Sequence, residues 1–490
     1  MKYRKQISLF LVLVSIVGFA FIPNISADSS KPKSAVVTID FWYTENDAEK
    51  PGVTQLVADF EAANPNIDVN ALQIDFFDAR NLFTNSYIAN AEPDVMRATR
   101  DWIPEFAAAG MLQPLTSTFT EDDISDFINI AIEMVTYPDS NEIAQIWAYP
   151  QLVDTPAIMY NKEIFELAGI DTSTLSINTS WTWDEYWDIL YQVNGTEYEY
   201  GGETNNVYAT TLAGMMFGAQ PYYFGNGAQM FYNDEVFIDT AAINSEETKY
   251  ALQFLKNLTD SSVTPNWLDQ GWGPLNPMFR SGKVAMINQG PWELKQNIED
   301  EAIFQGGDNL GILQLPHDEE GHQGAPVGCH GYVISGHVTP NSAEFNASVT
   351  FAKYMSSQEA QKLGAIDYYH VPSRKSVMNL TEVKEAFSYP YVKAYWDAVQ
   401  SALRVPVSKD WAQIETDFGD RINEYLAGEI TLDECIANTL VLWAEYLPKK
   451  AGSDTDDVIQ GSSSIASFPI GILIGTFSIS IILVLRKKLK

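Results

Sequence analysis

Cysteine is almost missing from this chain: there are two in 490 residues, Cys329 and Cys435. Two thiols cannot build a disulfide framework, so the fold must rest on packed cores. One bridge between them is allowed, and spacing does not decide it. Histidine is scarce too, and four of the five (His317, His322, His330, His337) fall in one short window beside Cys329. Metal sites draw on such residues, but these spacings match no common zinc pattern. They read as surface or loop histidines, so no metal and no cofactor is expected. Basic side chains are the third shortage, with 30 Lys and Arg against 64 Asp and Glu and a net charge of −34. Phosphate binding needs a basic footprint, so nucleic acid is not an expected partner. The motifs Gly-x-Ser-x-Gly, His-Glu-x-x-His, Gly-x-x-x-x-Gly-Lys-Ser/Thr and, after a strand, Gly-x-Gly-x-x-Gly are all absent. No catalysis is expected. A carboxylate pair for glycoside hydrolysis could be drawn almost anywhere among so many acids, so none is informative.

What is present begins at the ends. Residues 1–27 carry Lys2, Arg4 and Lys5, an apolar run from Ile7 to Ile22, and a small-residue exit at Ala27. That is the pattern of a cleaved secretory signal peptide. Ile465 to Leu485 is uncharged and long enough to cross a membrane, and Arg486, Lys487, Lys488 and Lys490 follow it. The positive-inside tendency makes 486–490 a cytoplasmic tail and turns the body outward. With these seven end cations set aside, the body from 28 to 464 carries −41. Residues 448–464 are rich in Gly, Ser and Asp. Such a linker spans about 20–24 Å on average and reads as a flexible stalk. The expectation is a cell-surface protein with a single C-terminal membrane span. Sequons at Asn178, Asn194, Asn257, Asn346 and Asn379 permit glycosylation of an exported chain.

Between the ends, strand and helix patterns alternate. Val36–Trp42 alternates like a strand. Val53, Leu56, Val57 and Phe60 then share one helical face, and Ile67 and Val69 open a second strand. That order is the βαβ unit of a mostly parallel sheet. Runs at 146–150, 157–160, 310–316 and 332–335 also read as strands. Thr182 and Glu185 form a capping box before a helix. Ala343 to Lys362 and Trp411 to Leu447 read as helices, the latter broken near Gly428. About 420 residues of this alternation imply two α/β lobes.

The stretch Phe279–Trp292 is the most telling. A helix end meets Gly282, an apolar strand runs from Val284 to Ile287, and Asn288-Gln-Gly-Pro delivers Trp292 to the next helix. An aromatic at the carboxyl end of a strand can face a ligand. On geometry alone the ring fits a core position beside a turn equally well. Aromatics are plentiful, with 12 Trp and 24 Tyr, and several sit between elements, including Trp42 and the Pro221–Phe224 run with Tyr222 and Tyr223. Ring faces near carboxylates and amides suit sugar rings; core packing is the alternative for many of them.

Taken in order, the segments 92–95, 110–115, 146–162, 181–185, 279–292 and 310–316 resemble family 1 extracellular solute-binding proteins. These are the sugar-binding subunits of ATP-binding cassette importers, and the resemblance covers roughly residues 36–447. It implies the α/β two-lobe periplasmic-binding-protein fold of type II. It also implies a hinge crossed three times, a cleft that closes on a sugar, and an importer permease as partner for a monomeric receptor. By resemblance the crossings fall near Leu152–Asp154, Asn309–Gly311 and Gly364–Asp367. The lobes would then be 36–152 with 311–365, and 153–310 with 366–447. Trp292 matches a stacking Trp and Trp411 a second stacking aromatic. Asp101 matches a sugar-binding Asp whose usual following Arg is Trp102 here, while Arg100 stands on its other side. Asp154 sits where a sugar-binding Glu occurs. Trp42, Glu45 and Asp47 belong to the first strand-to-helix region, which lines the cleft. Glu415 stands where maltose-binding protein has an Arg, so the sugar itself is not implied. A polysaccharide-active surface enzyme and a same-fold receptor for a cationic solute remain the alternatives, the latter suggested by Asp101, Asp154 and Glu415. A cleaved leader with a C-terminal anchor resembles an archaeal cell-surface arrangement.

Overall fold

The computed structural model describes residues 36–448 apart from 214–215, 232–235, 237–239, 266–271, 300, 320 and 322–323. The expected leader at 1–27, the stalk beyond Pro448, the span at 465–485 and the tail at 486–490 therefore lie outside the described residues. Among the described residues no helix is long and apolar enough to cross a membrane.

In chain order the strands are β1 (Val37–Tyr43), β2 (Ile67–Gln73), β3 (Val95–Thr99), β4 (Thr136–Pro138), β5 (Ala144–Ile146), β6 (Tyr149–Asp154), β7 (Ala157–Asn161), β8 (Glu197–Tyr200), β9 (Glu203–Asn206), β10 (Met286–Gln289), β11 (Leu310–Leu313), β12 (Gly328–Ile334) and β13 (Val371–Pro372). One sheet has the order β13-β6-β12-β3-β1-β2, and a second has β10-β7-β11. Strand β1 runs parallel to both β2 and β3, while β12 runs antiparallel to β3 and β6. Helix Lys50–Ala63 covers the first sheet with the expected face of Val53, Leu56, Val57 and Phe60. A first sheet whose edge is parallel βαβ and a second, smaller sheet wrapped by helices give the two α/β lobes.

Local sequence chemistry explains the element ends. The Thr182 hydroxyl accepts from the Glu185 amide and the Glu185 carboxylate accepts from the Thr182 amide, closing the expected box. The C-terminal helical region breaks into Trp411–Ala427 and Leu432–Trp443, with Gly428 at φ 75° taking the left-handed cap. The expected helix over 343–362 is two helices, Ala343–Met355 and Gln358–Asp367, because Ser357 caps a new start. The strand expected at Val284–Ile287 is instead Met286–Gln289, paired to β7.

The passages between the sheets differ from those implied by resemblance. The first lies between Asp154 in β6 and Ala157 in β7, just beyond Leu152–Asp154. Leu310–Leu313 still pairs with β7, so the return cannot occur at Asn309–Gly311 and falls between Leu313 and Gly328. Val371 and Pro372 pair with β6, so the chain is still on the first sheet after Gly364–Asp367. Short strands with little patterning of their own, such as Val371–Pro372, leave no periodic signal.

Cys329 and Cys435 are both buried free thiols, one in β12 and the other in the Leu432–Trp443 helix. The histidines disperse. His330 faces Asp154 at 3.4 Å, and His337 meets Glu92 at 2.7 Å and stacks on Tyr87. Among the described residues no group of three or more His, Cys, Asp or Glu side chains is placed to hold a metal.

Candidate functional site

The two lobes meet over a group of polar side chains brought from five segments. Arg100 and Asp101 follow β3, His330 lies in β12, and Asp154 ends β6. All four belong to the first lobe. From the second come Gln220, on helix Met216–Phe224, and Trp411 and Glu415, on helix Trp411–Ala427. Trp411 and Glu415 stand four residues apart, so one helix face presents both.

Each contact follows from local structure. The Arg100 amide donates to the Cys329 carbonyl at 2.9 Å, extending the β3–β12 ladder and fixing where its side chain leaves the sheet. The guanidinium carbon lies 5.9 Å from the centroid of the Trp411 ring, bridging the lobes by cation–π attraction. Arg100 Nη2 is 3.0 Å from Asp101 Oδ1, yet neither atom makes a hydrogen bond, and Arg100 Nε has none either. Gln220, fully buried, donates to Glu415 and leaves its own Oε1 without a partner. A Cβ at position 328 would collide with the Asp154 carboxylate, so only glycine lets that acid lie over β12.

Burial raises the Asp101 pKa, Arg100 and His330 oppose the rise, and Asp154 adds to it. Burial and the Asp101 carboxyl push Glu415 up to about 8 against the influence of Arg100, Trp411 and Gln220. His330 is lowered by burial and by Arg97, although Asp154 and Glu45 pull the other way. Buried polar atoms normally have partners. A cluster of unpaired donors and acceptors between two lobes is what a bound polyol would satisfy.

Trp292 belongs to the second lobe, in the turn that follows β10. It is half-buried in the turn Pro291–Glu293, its ring 6.4 Å from Phe217 and folded over Gly290. Its backbone carbonyl accepts from Asn46 Nδ2 of the first lobe at 3.1 Å. Asn46 is held in turn, since its Oδ1 accepts from the amides of Ala48 and Glu49. A second bridge is Lys295, whose Nζ is 5.0 Å from the Tyr368 ring centroid.

Other expected site residues lie elsewhere. Tyr222 and Tyr223 are buried in the second-lobe core. Tyr222 packs on Trp183 and Phe254, and the Tyr223 hydroxyl bonds Thr248 and Gln229. They sit in helix Met216–Phe224, not in a loop, and their helix gives only Gln220 to the cluster. Trp102 is 6% exposed and packs against Phe76, so it is a core ring. Trp42 is a partly buried residue within β1, and Asp47 is exposed and accepts from Gln73. Glu45 is an internal strut: its carboxylate is 3.2 Å from Arg97 and accepts from Gln151 at 2.8 Å. Sequence reading missed Gln220, His330 and Asn46. His330 alone carried a signal, through its place in the histidine window.

Two α/β lobes that meet over a partly unsatisfied polar seat have the architecture of a solute-binding receptor. Residues 55–390 match the family described as bacterial extracellular solute-binding protein, and the chain belongs to that family. It is 22% identical over 392 residues to a maltotriose-binding protein of Pyrococcus abyssi, covering 79% of this chain and 76% of the relative. It is 22% identical over 383 residues to a galactooligosaccharide-binding protein of Bacillus subtilis, covering 77% and 83%. Among solved structures, the GacH receptor of Streptomyces glaucescens, determined unliganded and with acarbose, superposes with a TM-score of 0.73. That match is 28% identical and covers 84% of this chain and 98% of that one. Maltose-bound MalE3 of T. maritima superposes at 0.72 with 21% identity, covering 84% and 100%.

Proposed function

We propose that this chain is an extracellular receptor that captures a saccharide between its lobes and hands it to the membrane subunits of an ATP-binding cassette importer. The observation that carries the reading is the Arg100–Asp101–Asp154–Gln220–Trp411–Glu415 cluster, assembled from both lobes with donors and acceptors left over. Saccharide hydroxyls both donate and accept, so one polyol can pair with Arg100 Nε and with Gln220 Oε1 together. Membership of a solute-binding family and relatives named for saccharides support the same ligand class. Binding is stoichiometric and no bond is made or broken.

Closure supplies the signal. A ligand touching both lobes stabilises only the closed arrangement, and that arrangement is what a permease would recognise. The Asn46–Trp292 bond and the Arg100–Trp411 contact exist only when the lobes are together. Trp292 is the ring platform in this reading, while Trp411, 1% exposed with Arg100 over its ring, backs the seat. The apolar segment 465–485 anchors the receptor at the cell surface after loss of the leader 1–27, with the stalk as spacer.

A melting screen of the full-length chain against mono- to tetrasaccharides tests this. Ligand at a hundredfold excess over Kd should add about 2.7 kcal/mol of stability. No shift with any member of the panel would defeat the saccharide assignment.

A further inference from the structure

We propose that the saccharide carries a protonated amine, and that Asp101, Asp154 and Glu415 form its seat. This rests on the receptor reading above and names the ligand class more narrowly. Three carboxyl groups from three separate segments converge where one guanidinium, Arg100, is the single permanent cation of the cluster. Arg100 lies beside Asp101 without hydrogen-bonding it and directs its face at Trp411. Among the described residues Asp154 faces His330 at 3.4 Å, and burial and Arg97 keep that imidazole towards its neutral form. Glu415 accepts from the Gln220 amide.

Acidic groups alone would not make a site. Here the fully buried Gln220 also leaves Oε1 unpaired, and the buried Arg100 leaves Nε and Nη2 unpaired. These atoms point to a ligand that brings both donors and acceptors. A neutral sugar can satisfy them, but it leaves the excess of negative charge buried. Uncompensated buried charge is expensive, and a group relieves it by taking up a proton. Burial and the Asp101 carboxyl push the Glu415 pKa in that direction, up to about 8. An ammonium placed against it reverses the preference, and the proton leaves. The hydroxyls of the same ligand remain for Arg100 and Gln220.

The experiment is titration calorimetry on the full-length chain at pH 7, in two buffers of different ionisation enthalpy. The probes are two matched pairs, maltotriose with its monoamino-deoxy derivatives and cellotriose with the glucosamine trimer, plus spermidine. In at least one pair the amine-bearing member should bind about tenfold tighter or better and release close to one proton. Glu415→Gln, which keeps the shape, should abolish both the preference for the amine and the proton release. Neutral members binding as well as their amines, with no proton released, would overturn this inference and leave the saccharide reading standing. Spermidine binding alone would keep the seat's cationic preference and overturn the saccharide reading. Silence from all the probes would overturn both.

Discussion

Replacing Arg97 with Met should destabilise this protein strongly. Arg97 and Glu45 are 6% and 1% exposed in their side chains and 3.2 Å apart. The guanidinium also donates to Gln151 and to Thr44, each at 2.7 Å, and Gln151 donates back to Glu45 at 2.8 Å. Removing the cation leaves Glu45 buried without its counter-charge, and it strands the Gln151 and Thr44 oxygens. Breaking one side of a buried pair costs about 3–5 kcal/mol, whereas replacing both partners with apolar groups of similar volume is often close to neutral. The double variant Glu45→Leu/Arg97→Met should therefore recover most of the loss. Urea unfolding followed by tryptophan fluorescence gives the four corners of the cycle. A loss below about 1 kcal/mol for Arg97→Met would show that the pair carries little. Simple additivity in the double variant would refute the coupling. Either result would return Glu45 to the role expected from its sequence position, a cleft residue free to meet ligand.

Four further outcomes follow from the same geometry. Gly290→Ala should weaken saccharide binding much as Trp292→Ala does, because the new Cβ overlaps the Trp292 ring; affinity by fluorescence titration checks both. Asn46→Ala removes the bond to the Trp292 carbonyl and should cost binding about 1 kcal/mol, read as faster dissociation in stopped flow. Glu49 is raised by burial, but His370 at 2.7 Å, Arg97 and the Asn46 amide together bring its pKa below the ordinary 4.5. A depressed carboxylate contributes stability above its unfolded pKa and loses it as pH falls through the folded value. Wild type should therefore exceed His370→Gln in stability at pH 6, and the gap should shrink as pH drops below about 4.5 in acid-unfolding curves. Gly328→Ala should displace Asp154 and reduce binding with little change in circular dichroism.

Much of the fold could be read in the chain because periodic burial writes it there. The Val53–Phe60 stripe, the Thr182–Glu185 box and the break at Gly428 all stand where expected. The lobe crossings were harder. Whether Leu310–Leu313 or Val371–Pro372 joins one sheet or the other depends on partners more than 140 residues away. The site divides along the same line. Asp101, Asp154, Trp411 and Glu415 converge with Arg100, and all were expected from the resemblance to the family's cleft positions. Tyr222, Tyr223 and Trp102 do not, because an aromatic ring placed between elements can still face inward. Gln220 had no signal, since its neighbours are apolar and only the approach of Glu415 gives the amide a task. Glu45 carries a lesson of its own: a carboxylate at a strand end lines a cleft only if no arginine inside the lobe claims it first.

A saccharide at the Arg100–Glu415 seat would touch residues of both lobes. Calorimetry of the saccharide found by the melting screen, on wild type and on Arg100→Met, tests this placement most directly. The variant should be less stable, because Asp101 loses its buried counter-charge, and at a temperature where it is still folded it should bind at least about tenfold more weakly, since a charge-assisted bond to ligand is worth about 1.5–3 kcal/mol. Equal affinity in the two proteins would contradict it and move the ligand away from this seat.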